Sequence, residues 1–83
     1  MSRRFLIGAE AQADIADAVE WLNERSPELP ERFRAALESA FASLPDRPEM
    51  FPLVHREIRR ALVRHFPYSV FFVVGEQALL VVA

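Results

Sequence analysis

The chain has 83 residues, 52% of them hydrophobic, with no cysteine and a net charge of −2. This is one small domain, burying roughly 60–65% of its unfolded surface, with no disulfide or thiolate-bound metal to reinforce it. It is not a generic polyanion binder, but the charge is uneven: residues 1–50 carry six arginines against ten acids, and residues 51–83 carry four against two. One face of an otherwise acidic protein can therefore be cationic. Absence of cysteine fits a reducing compartment. All ten basic residues are arginine, whose planar fork suits phosphate and carboxylate, although a genome biased towards arginine codons gives the same usage.

Phe5, Leu6 and Ile7 are the only large apolar residues in the stretch from Arg3 to Gly8. That is too short for the apolar region of a signal peptide, and no apolar run approaches the length of a membrane span. The expectation is a soluble, cytoplasmic protein. A first strand is predicted over residues 4–7, ended by Gly8. The period then changes: Ala11, Ile15, Ala18 and Leu22 recur at helical spacing, with Asp14, Asp17, Glu20 and Glu24 towards the other side. This predicts a helix over about 10–25, with Trp21 closing the edge of its apolar stripe. Ser26-Pro27 ends it, because a residue before proline is pushed out of the helical region.

A second helix is predicted from residue 27 or 29 to 44. Its stripe of Leu29, Phe33, Ala36, Leu37, Ala40, Phe41 and Leu44 is the clearest periodicity in the chain. Ser26 is placed to cap it, with Pro27 or Pro30 in its first turn. The short break between the helices predicts an antiparallel hairpin. Residues 45–52 hold three prolines and read as a stiff loop. Strands are predicted over 57–65, 68–74 and 77–82, with Gly75-Glu76 as a hairpin turn and glycine supplying a positive φ. The segment 78–82 is apolar on both faces, which suits a central strand that the first strand pairs with and protects. The order β-α-α-β-β-β gives an α+β fold: a helical hairpin packed on one face of a mostly antiparallel sheet.

The chemistry-bearing stretch is 59–68, where Arg59, Arg60, Arg64, His65 and Tyr68 fall within ten residues. Strand alternation places Arg60, Leu62 and Arg64 on one face and Arg59 on the other. A face mixing guanidinium with apolar surface suits a partner interface, although pairing with helix acids or plain solvation would also account for it. His55 and His65 are the only histidines. No nucleophile turn and no metal-ligand spacing accompanies them, so they read as ordinary surface residues. Tyr68 reads as half-buried in the sheet. Trp21, Phe33, Phe41, Phe51, Phe71 and Phe72 read as core, and the carboxylates of the first helix as a solvated face. No metal or organic cofactor is indicated.

The chain resembles the RelE/ParE superfamily of bacterial type II toxin–antitoxin toxins over essentially all 83 residues. The likeness is carried by Ala13-Asp14-Ile15, Trp21-Leu22, Arg32-Phe33, Ala36-Leu37-Glu38, Pro48-Glu49-Met50-Phe51-Pro52, Arg59-Arg60-Ala61-Leu62-Val63 and Phe66-Pro67-Tyr68. The long helical hairpin and the Arg-Arg…Phe-Pro-Tyr pattern are more similar to the ParE branch. That resemblance implies a single toxin domain over 1–83, held inactive by a cognate antitoxin and acting by binding DNA gyrase. Nucleic acid is then engaged only indirectly, and no membrane is involved. Members of the superfamily usually continue past the last strand into a short segment bearing a histidine or arginine. Here the sequence stops at Ala83, so the expectation is a domain lacking that segment. On this reading Arg59, Arg60, Leu62, Arg64 and His65 contact the partner protein. Two alternatives stand beside it. One is a RelE-like ribosome-dependent mRNA endonuclease, with Arg59, Arg60, Arg64 and Tyr68 as its catalytic set. The other is an inactive truncated relative that only binds antitoxin. Net acidity and the absence of lysine count against the nuclease.

Overall fold

A computed structural model describes residues 4–83. Met1, Ser2 and Arg3, which belong to the N-terminal stretch expected to be too short for a signal peptide, lie outside the described residues. The elements are β1 (Arg4–Ile7), α1 (Ala9–Arg25), α2 (Leu29–Ser43), a 3-10 turn (Pro48–Met50), β2 (Leu53–His55), β3 (Ile58–Leu62), β4 (Ser69–Val74) and β5 (Ala78–Val81). The sheet order is β1-β5-β4-β3-β2, with β1 and β5 parallel and the other neighbours antiparallel. The fold is α+β with both helices on one face of the sheet, and β1 protects the last strand as expected.

Alanine-rich α1 and the apolar stripe of α2 bury their apolar faces against the sheet. Ala11, Ala18 and Leu22 of α1 and Phe33 and Leu37 of α2, with Leu44 just beyond it, meet Ala61, Val63, Val70, Phe72, Leu79 and Val81 from the sheet side. Phe72, on the middle strand, is fully buried and takes the Phe51 ring edge-on at 5.6 Å. Phe33 contacts Phe66 and Tyr68, each at 5.3 Å between centroids. Phe41 leans on Phe5 at 5.2 Å and so ties α2 to the edge strand. Ser26 is extended, at φ −163°, as its following proline requires.

Several details differ from the sequence reading. Ser26 closes α1, its N–H donating to Leu22 O, and does not cap α2 through its side chain; Glu28 occupies the N-cap position of α2 without a side-chain hydrogen bond. The chain after the prolines makes an additional strand, β2, whose three exposed residues have no alternating burial to announce them. It returns through Arg56, at φ 50°, into β3. β3 ends at Leu62 rather than 65. Beyond Val63 the chain turns: the Phe66 N–H donates to Val63 O, the Val63 N–H to Tyr68 O, and His65 adopts φ 72°. Arg64 and His65 are therefore turn residues, not strand residues. Gly75 does not have a positive φ; its N–H closes the β4–β5 connection on Ala78 O at 2.8 Å. Trp21 is 44% exposed rather than core, and its ring lies under the Arg25 guanidinium, 3.7 Å from the ring centroid.

Candidate partner-binding surface

Two helices cover one face of the sheet, and strand alternation sends every second residue to the other. On that outer face the register aligns Leu6 with Leu80, Leu80 with Val73, and Val73 with Ile58. Four neighbouring strands thus contribute to one apolar row. A second row pairs Phe71 with Arg60, and a third pairs Ser69 with Leu62. Leu62 is 68% exposed, Leu80 39% and Leu6 38%. Residues of these strands that point outward include two arginines, Arg4 and Arg60, and no acid. An exposed apolar floor with cationic groups and no carboxylate has the composition of a protein-interaction surface.

The arginines of the 59–64 stretch have separated fates. Arg59 points to the helix side of the sheet, between the level of Ala61 and the loop before β2. Its Nη1 donates to Phe51 O at 2.7 Å and to Glu49 O at 3.2 Å. This one guanidinium nitrogen thus ties the proline-rich loop to β3. Arg60 is exposed on the outer face beside Phe71. The expected sharing of that face by Arg64 does not occur, because the turn after Val63 swings Arg64 and His65 around the sheet edge towards α2. There they line a recess with Leu29, Arg32, Ala36 and Phe66. Tyr68 is half-buried, its ring against Phe33. Arg59, Arg60, Arg64 and Tyr68, the set expected of a nuclease, are therefore spread over four separate environments and do not surround one point.

His55 lies on the exposed edge strand β2 and His65 in the β3–β4 turn, both exposed. Among the described residues no cluster of three or more His, Cys, Asp or Glu could hold a metal ion, and no helix is long and apolar enough to cross a membrane. The row Leu6–Leu80–Val73–Ile58 and the contribution of Arg32 went unrecognised in the sequence. The signal for the row was present: strands apolar on both faces, with only two helices to cover them.

The fold is a small α+β domain that leaves one face of its sheet uncovered by helices. The family model of the ParE toxin of type II toxin–antitoxin system, parDE, matches residues 6–83, and the chain belongs to that family. It is a type II toxin, a class that has an antitoxin as partner. No curated protein matches the chain.

Proposed function

We propose that this chain is a ParE-like toxin that acts by binding DNA gyrase and is neutralised when its cognate antitoxin occupies the outer sheet face. The observation that carries the binding part is the uncovered apolar row of Leu6, Leu80, Val73 and Ile58, with Arg60 and Leu62 on the same face. An antitoxin segment that folds on contact would bury this row with its apolar stripe and meet Arg60 with a carboxylate. Family membership supports the toxin reading. Dispersal of Arg59, Arg60, Arg64 and Tyr68 favours binding over RNA cleavage, since phosphoryl chemistry needs charged groups converging on one phosphate. Trapping of a gyrase–DNA intermediate then needs no catalytic group on the toxin.

The test is reconstitution of purified chain with gyrase, supercoiled DNA and ATP. Accumulation of protein-linked cleaved DNA, suppressed by the protein encoded in the neighbouring reading frame, is the expected result. Induction in cells that stops translation first, with cleaved transcripts and intact chromosomal DNA, would overturn the gyrase reading in favour of the nuclease.

A further inference from the structure

The recess that Arg64 and His65 line lies between the first turns of α2 and the β3–β4 turn. Its volume is about 590 Å³, room enough for a few side chains of a partner. Arg32 comes from α2, and Arg64 and His65 come from a turn some thirty positions later in the chain, so the convergence of three basic side chains is made by the fold and not by a local charge run. All three are exposed. Between them lie Leu29, Ala36 and Phe66, each half-buried. Phe66 is held in place by its edge-on contact with Phe33. Among the described residues that line the recess, none is acidic.

We infer that this recess is a second anchor point for the antitoxin, taking one carboxylate between Arg32 and Arg64 and an adjacent aliphatic or aromatic side chain on Leu29, Ala36 and Phe66. The inference rests on the antitoxin reading above and deepens it. Charge complementarity names an acidic ligand, and the apolar half of the lining selects among acidic ligands. A nucleic-acid backbone gains from a tract of cations and leaves apolar floor unused, whereas an acidic–apolar peptide uses both halves. Continuity supports the same occupant. Leu62 ends the outer face, and Arg64 is two residues further on, within about 7 Å along an extended chain. A segment leaving the outer face at Leu62 therefore needs only to round the turn to reach the recess.

Two measurements on the full chain test this. In the first, the neighbouring-frame antitoxin is titrated calorimetrically into wild type, into Arg32→Glu with Arg64→Glu, and into Leu62→Asp. The expected result is at least a tenfold loss of affinity in the double variant, with an unchanged circular dichroism spectrum. Arg32→Gln with Arg64→Gln replaces the charge reversal if that pair costs folding. In the second, amide chemical shifts are followed while acetyl-Leu-Glu-Leu-Phe-amide, its Glu→Gln counterpart, or a ten-residue oligothymidylate is added. The acidic peptide is expected to move the signals of His65 and Phe66 in wild type and not in the double variant, with a weaker response to the neutral peptide. Undiminished antitoxin affinity in the double variant, while Leu62→Asp loses it, would overturn the second anchor and leave the outer face standing. A response to the oligonucleotide but not to the peptide would overturn it in favour of a nucleic-acid site. Failure of wild type to bind the antitoxin at all would instead sink the reading of the partner, and the peptide titration would still decide the chemistry of the recess.

Discussion

Replacing Arg59 by alanine separates its scaffold role from the binding role its neighbours suggest. The side chain donates to two carbonyls of the loop before β2, Phe51 O at 2.7 Å and Glu49 O at 3.2 Å. The Glu49 contact is exposed, so water replaces most of it and the loss there is about 0.5 kcal/mol. The Phe51 contact is part-buried and shorter, and losing a charged donor at such a carbonyl costs about 1.5 kcal/mol. The sum, about 2 kcal/mol, is a large part of the stability of so small a domain. It corresponds to a fall in melting temperature of about 8–16 °C. The loop also presents the Phe51 ring to fully buried Phe72, so its loosening should speed hydrogen exchange at the Met50 and Phe51 amides, which close the 3-10 turn. Urea denaturation of Arg59→Ala measures the loss. Arg59→Lys, which keeps the charge on a shorter, differently aimed donor, should recover part of the loss. A loss under about 0.5 kcal/mol would show that both carbonyls are satisfied by water and that Arg59 is not a staple.

Two further outcomes follow from the corrected positions. His65 at φ 72° pays for a left-handed conformation that glycine adopts freely; His65→Gly should raise stability by about 0.5–1 kcal/mol after the extra entropy of the unfolded chain is counted, and a destabilisation in urea melts would contradict that geometry. Trp21, the single tryptophan, is exposed at the flank of α1 beneath Arg25. Its fluorescence in the native state should be red-shifted and readily quenched by acrylamide, and Trp21→Ala should cost under about 1 kcal/mol; a blue-shifted, protected emission would refute the placement.

The helical hairpin was legible because α2 carries six apolar positions at helical spacing, with Leu44 continuing the stripe just beyond it, and because proline follows each helix closely. Pairing of the first strand with the last was legible too, from a segment apolar on both faces that no edge could tolerate. β2 was not. Its residues Leu53, Val54 and His55 are all exposed, so burial imposes no alternation on them, and the strand exists through pairing with β3 alone. The end of β3 was misplaced for a related reason. Arg64 and His65 continue the alternation of the strand on paper, but the chain must turn tightly to bring Phe66 under Phe33, and His65 accepts a positive φ to do so. Arg59 could be assigned to the opposite face from Arg60 by alternation. What it does there depends on where two loop carbonyls come to rest, which no residue pattern encodes. The outer face was half legible: Leu62 and Arg60 came from the strand pattern, whereas Leu6, Leu80, Val73 and Ile58 form a row only once the strand order and register are known.

Calorimetric titration of the antitoxin into Leu62→Asp with Leu80→Asp tests the central claim most directly. Burial of one leucine against a partner contributes about 1.5–3 kcal/mol, so losing two should weaken binding by about 3–6 kcal/mol, or 100-fold and more. That loss is expected in a variant whose circular dichroism matches wild type. An unchanged dissociation constant would show that the antitoxin sits elsewhere and that the bare face of the sheet is not its seat.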